Sequence, residues 1–180
     1  NPDAILVGER HGVILPGFDY GNSPAQIEAV DFTGKTGIHT TSAGTQGVAN
    51  ALGADEIIAG NLVSANAIAE YIKQKNPKEV SLVCMGLMAN EQTDEDNLAA
   101  EYIKSILEGE PIADLAARIE KLKETSGAKF FKPDLQHVFP KRDFELCTQV
   151  GICPFVLRLK KDSDAELAYM ERVDVKQFSL

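Results

Sequence analysis

What this sequence lacks narrows it first. No apolar run approaches the roughly 18 residues that a bilayer-crossing helix needs, so no helical membrane span is expected. The three cysteines, Cys84, Cys147 and Cys153, are odd in number and contain no C-x-x-C pair. That argues against a disulfide framework or a cysteine zinc cage and favours a reducing, cytoplasmic setting. Positive charge is scarce, with 18 Lys and Arg against 27 Asp and Glu and a net charge of −9. Such a surface repels phosphate backbones and anionic lipid, so neither nucleic acid nor a membrane surface is an expected partner. There is no internal repeat and no low-complexity tract. The remainder is ordinary globular composition: 180 residues, 44% hydrophobic and 25% charged, enough for one domain or slightly more. The chain opens Asn1-Pro2-Asp3 without a methionine and reaches the apolar Ala4–Val7 at once, which reads as a fragment of a longer protein.

The middle of the chain alternates two periods. Strands are expected over 35–41, 56–60 and 80–85. The last is near-continuously apolar, as suits a central strand covered on both faces. Helices are expected over 43–52, with Ser42 as N-cap, over 64–75, stopped by Pro77, and over 95–107 and 111–124. Strand–helix alternation at this spacing predicts an α/β fold: a mostly parallel sheet with helices on both faces, in three layers. Further strands are expected over 144–150 and 155–159, with a polar tail over 160–180. The division is therefore 1–127, a main α/β domain, and 128–180, which completes the same domain or forms a small appended lobe.

Ligands of open α/β sheets bind at the C-terminal strand ends, which selects three loops. The first, Thr40 to Thr45, is hydroxylated, contains Gly44 and opens a helix. It is either an ordinary N-cap or an anion cradle built from backbone N–H groups and the hydroxyls of Thr41, Ser42 and Thr45. No Gly-Lys-Ser/Thr follows, so it is not a Walker loop. The second carries Asn61, Ser64 and Asn66. The third ends in Thr93-Asp94-Glu95-Asp96, where Thr93 and Asp96 resemble a capping box and the carboxylates could instead hold Mg²⁺. Ahead of these lie Gly8–Gly12 and Gly17–Pro24, dense in glycine and polar groups. Arg10 can grip a phosphate or sulfonate in bidentate fashion, or can simply pair with Asp19. His11 is a loop histidine, able to act as an acid or simply solvated. Cys147 and Cys153 read as buried structural thiols.

Gly8-Glu9-Arg10-His11-Gly12 followed by Pro16–Pro24 resembles a signature of the 2-phosphosulfolactate phosphatase family. Thr40–Thr45, Gly60–Ala67, Glu95–Leu98 and Arg142–Cys147 resemble further family blocks in the same order, so the resemblance spans about Val7 to Val150. It implies an α/β, Mg²⁺-dependent phosphatase that converts 2-phospho-3-sulfolactate to sulfolactate and phosphate, on the route to coenzyme M. It implies catalytic roles for Glu9, Arg10, Asp19, Glu95 and Asp96, with Glu9, Asp19, Glu95 and Asp96 as the metal ligands. Thr41, Ser42, Gly44, Thr45, Asn61, Ser64 and Asn66 are then the substrate-binding set. The nucleophile stays open between water and a carboxylate in a preceding segment. Family members begin with a further strand and helix bearing an Asp-x-x-Arg-Ala-Thr-type motif. Here Asn97 stands for the usual threonine, Ala99-Ala100 for cysteine-alanine, and the loop before Glu95 lacks a second glycine. A phosphatase for another small organophosphate and a non-catalytic anion-binding module are the alternatives. A homodimer is expected from base rate.

Overall fold

The computed structural model describes residues 3–51, 53–161 and 168–176. Strand β1, Ile5–Arg10, is the centre of a three-stranded sheet of order β2-β1-β3. Backbone groups alternate direction along a strand, so β1 serves two neighbours. On one side it pairs in parallel with β3, Gly37–Thr40, in the register Ile5↔Gly37 to Gly8↔Thr40. It also pairs antiparallel with β2, Val13–Ile14. His11 and Gly12 link β1 and β2 with positive φ of 57° and 78°, the geometry of a tight two-residue hairpin. Tyr20 adds a parallel bridge to Val7.

Six α-helices are described: α1 Pro24–Ile27, α2 Gly44–Asn50, α3 Ala65–Lys75, α4 Asp94–Glu108, α5 Leu115–Lys121 and α6 Lys141–Cys147. Strands β4, Phe155–Lys161, and β5, Ala168–Asp174, form an antiparallel hairpin. The core gathers in two clusters. Ala65, Ala67, Ile68 and Tyr71 of α3 meet Ile103 of α4, Val156 of β4 and Val175. Leu98 of α4 meets Leu122 and Phe144 of α6. Helix α4 thus carries one residue of each cluster, and each cluster draws on both sides of residue 127.

The fold is α/β, with helices and small mixed sheets. Several elements differ from expectation. Residues 80–85 form no strand: no ladder hydrogen bonds reach them, and Val83 is 72% exposed. Residues 57–59 pair antiparallel with β4, through Ala59 N–H to the Leu157 carbonyl and Leu159 N–H to the Ile57 carbonyl. The expected parallel neighbour is absent there among the described residues. The one parallel ladder between named strands is β1 with β3. The expected strand over 144–150 is instead helix α6 and its exit, because Pro140 opens a helical turn and Asp143 and Phe144 turn inward together. The helix expected from Pro111 begins only at Leu115, after Asp114 adopts a left-handed φ of 58°. Of the polar tail over 160–180, the described part holds β5, and 162–167 and 177–180 lie outside the described residues. All three cysteines are free. Cys84 and Cys147 are exposed and Cys153 half-buried, so none is a fully buried thiol.

Candidate active site

Glu9, near the end of β1, is the organising residue. Its carboxylate accepts Gly12 N–H at 2.8 Å, Ser42 N–H at 2.8 Å and the Ser42 hydroxyl at 3.0 and 3.1 Å. One side chain thereby ties the β1–β2 turn to the loop between β3 and α2. Burial pushes the Glu9 carboxyl up, but the Gly12 and Ser42 amides, the Ser42 hydroxyl and the Arg10 charge together hold it below its ordinary value. Ser42 is consequently not the N-cap of α2. That position falls to Ala43, and the Ser42 hydroxyl serves Glu9 instead.

Arg10 does not pair with Asp19. Its NH1 donates to the Glu9 carbonyl at 2.7 Å, and its NH2 donates to Thr40 Oγ1 at 3.3 Å. The exposed guanidinium thus rests beside the first loop. Asp19 accepts Leu6 N–H at 2.8 Å and fastens the Gly17–Pro24 segment to β1. Gly8 lies between these pieces for a steric reason. A Cβ there would stand 2.7 Å from Thr40 Cγ2 and 3.0 Å from Phe18 Cε2.

The first loop is self-braced. Thr45 N–H donates to Thr41 Oγ1 at 3.2 Å, and the Thr45 hydroxyl donates to the Thr41 carbonyl at 3.0 Å. These hydroxyls shape the loop. The groups it can offer a ligand are the amides of Ala43 and Gly44, which head α2 and have no acceptor within the helix. Near Glu9 lies His39, expected from the sequence only as part of a strand. His39 Nε2 lies 2.9 Å from Asn22 Oδ1, a bond made by the Nε2–H tautomer. Burial lowers the His39 pKa and the Glu9 charge opposes that, so the two groups share one neighbourhood. The sequence signal for His39 is its place near the C-terminal end of β3, one residue before the Thr40–Thr45 loop.

The other two loops serve themselves. Asn61 Oδ1 accepts Ser64 N–H at 2.7 Å and closes a turn, and Ser64 is buried. Asn66 Oδ1 accepts the Tyr102 hydroxyl at 3.1 Å. At the start of α4, Asp96 Oδ2 accepts Gly86 N–H at 2.6 Å. The capping box is not made: Thr93 is the N-cap without a side-chain bond, and Thr93 Oγ1 and Glu95 Oε2 are buried without partners. Among the described residues, no hydrogen bond or ion pair joins the Glu9–Arg10–Thr40 group to Asn61–Asn66 or to Glu95–Asp96. Nor do three or more His, Cys, Asp or Glu gather there in a group able to hold a metal. Surface hollows lie elsewhere, one at Ala54–Ile57 against Arg158–Lys160 and one along Ala117–Glu124.

The fold and these loops define an α/β protein whose glycine-rich segments and one arginine meet at the C-terminal end of a parallel strand pair, where such folds bind small polar ligands. The sequence matches the 2-phosphosulpholactate phosphatase family over residues 1–162. The chain belongs to this family of phosphatases. It is 33% identical over 174 residues to a probable 2-phosphosulfolactate phosphatase of Bacillus subtilis, covering 96% of this chain and 74% of the relative. A protein of the same name in Carboxydothermus hydrogenoformans is 32% identical over 163 residues, 85% of this chain and 66% of the relative. One in Thermoplasma volcanium is 34% identical over 152 residues, 84% of this chain and 66% of the relative. The chain thus spans two thirds to three quarters of the length of these relatives.

Proposed function

We propose that this chain is the bulk of a phosphomonoester hydrolase acting on 2-phospho-3-sulfolactate, as the names of its relatives suggest. The observation that carries this reading is the contact of Arg10 with Thr40. It sets a guanidinium at the start of the loop that leads to the Ala43 and Gly44 amides, and such a combination suits a phosphoryl or sulfonate group. Arg10 has N–H groups left over after its two bonds, and its exposure leaves them accessible to substrate. Glu9 holds both pieces in register, so it acts by bracing them. Asp19 does the same for the Gly17–Pro24 segment.

Magnesium is part of the proposal. The orphaned Glu95 Oε2 and the second oxygen of Asp96 suit a hard cation, which takes few protein carboxylates and completes its shell with water and substrate oxygens. Glu9 fits it less well, because amides and the Ser42 hydroxyl already occupy both its oxygens, whereas Asp19, like Asp96, keeps one oxygen beyond its amide bond. The chemistry such an ion would supply is neutralisation of charge on the phosphoryl oxygens. The three-layer parallel sheet and a preceding strand and helix also belong to the proposal. Ile38, Val80 and Val83 are exposed at 47%, 41% and 72%, apolar side chains that further sheet would cover. A homodimer is proposed with it, checked by sedimentation. Three free cysteines suit a reducing compartment such as the cytoplasm, and among the described residues no helix is long and apolar enough to cross a membrane.

The test is phosphate release from 2-phospho-3-sulfolactate by the full-length protein, with Mg²⁺ and with chelator. Release that requires the metal supports the reading. Turnover of other phosphomonoesters but not this one redirects the substrate. No hydrolysis of any of them, with sulfolactate bound tightly, makes the chain a binding module.

A further inference from the structure

Asp143 is the one carboxylate among the described residues that is buried as a whole, at 5% exposure. It projects from α6, far in sequence from every loop discussed above. Its Oδ1 accepts the Ser23 hydroxyl at 2.8 Å and Ala25 N–H at 2.8 Å. Ser23 is itself 7% exposed. Among the described residues no lysine, arginine or histidine forms an ion pair with Asp143. A buried charge without a counter-ion costs stability, and a packing role would be served better by an apolar side chain. What this carboxylate gains is geometry, because two donors from one turn converge on one oxygen.

That segment has other anchors towards its start. Backbone bonds of Asp19 and Tyr20 join it to β1, the Asp19 carboxylate accepts Leu6 N–H, and Asn22 meets His39 on β3. Asp143 supplies the anchor at its other end, at the point where the segment enters α1. We propose that Asp143 is a positioning residue, a clamp from α6 that fixes the Gly17–Pro24 segment against β1 and β3 and so holds the candidate active site in shape. This rests on the proposed function only in its second half. The clamp is a claim about the loop, and its effect on turnover is a claim about the site. A second link between α6 and α1, Arg142 to Glu28 at 3.1 Å, is exposed, and exposed pairs of that kind contribute little. It therefore serves as the control.

Four variants of the full-length protein decide it: Asp143→Ala, Asp143→Asn, Ser23→Ala and Arg142→Ala. Amide hydrogen exchange is measured alongside kcat and KM for 2-phospho-3-sulfolactate. Asp143→Ala is expected to speed exchange over residues 17–25 while leaving α3 protected, and to lower kcat/KM roughly 10- to 100-fold, as for a small misplacement of a site. Asp143→Asn keeps an acceptor oxygen and is expected to restore most of both. Ser23→Ala should show an intermediate effect, and it keeps the test open if Asp143→Ala does not fold. Arg142→Ala should stay within about twofold of the parent. Exchange that is unchanged in the loop, or raised evenly over the whole chain, overturns the clamp. Local loosening with unaltered kcat/KM overturns the positioning role. A parent protein with no turnover sinks the function instead, and the exchange pattern then decides the clamp alone.

Discussion

Glu9 receives donors from two separate loops, so its replacement should be felt in both. Glu9→Gln keeps one acceptor oxygen where the Gly12 and Ser42 amides use two, so one of these N–H groups is left facing an N–H₂ donor. The expected cost is about 1–3 kcal/mol, as for half-buried donors left unpaired. Acid should act in the same direction. The folded Glu9 carboxyl titrates below its ordinary 4.5, and folded His39 below its ordinary 6.5. In each case the unfolded chain takes up a proton more readily than the folded one. Their contribution is therefore complete above 6.5. It declines as acid passes into the His39 window and again below 4.5, as linkage requires. Urea unfolding between about pH 8 and pH 4 checks this. Glu9→Gln should lose the lower part of the decline, and a profile identical to that of the parent would contradict the bracing role. Ser42, Arg10 and the Thr40–Thr45 loop were legible as candidates from their chemistry and place in the chain, and the structure brings them to one end of β1. The link through Glu9 was not, because a carboxylate among glycines reads equally as a metal ligand or as an amide acceptor. His39 and Asn22 are legible only once Val7 is seen to lie between them, bridged to Tyr20 on one side and paired with His39 on the other.

At the level of elements, α3 and α4 could be read directly, because their apolar stripes and stop signals agree with the way they pack. Gly109 ends α4 in a left-handed turn, and Asn76 does so for α3. The misread elements share a cause, namely that period-two patterns need a partner strand. Residues 80–85 have the composition of a central strand but no ladder, so the pattern finds nothing to pair with. Phe144, Leu146 and Val150 mimic alternation, yet Pro140 and the inward Asp143 make the segment helical. Strand β5 was hidden by its charges, because one face of a two-stranded hairpin can stay wet. The loop before α4 offers a sharp test. Gly86 has φ +63°, and a Cβ there would collide with the Glu91 carbonyl oxygen, which accepts Leu87 N–H at 2.8 Å. Gly86→Ala should cost more than about 1 kcal/mol and free Asp96 from the Gly86 amide. Thermal unfolding measures the cost, and a melting temperature equal to that of the parent would show that the loop relaxes without strain.

For the molecule as a whole, the two clusters joined by α4 make the C-terminal hairpin part of the main core. Val156 on β4 is fully buried against α3 and α4. Val156→Ala leaves a cavity there and should cost about 2–3 kcal/mol, read as one cooperative loss rather than separate melting of the hairpin. Two transitions in that variant would instead make residues 128–180 a separate lobe. The central claim, however, concerns the end of β1, where Arg10 rests on Thr40 at the start of the loop that carries the Ala43 and Gly44 amides. The most direct measurement is the kcat/KM of Arg10→Ala against the parent for phosphate release from 2-phospho-3-sulfolactate, in the full-length protein with Mg²⁺. Loss of a charged hydrogen bond to the phosphoryl or sulfonate group predicts a fall of roughly 10- to 100-fold, with the fold intact. An active enzyme whose kcat/KM is unchanged by this substitution would contradict the account.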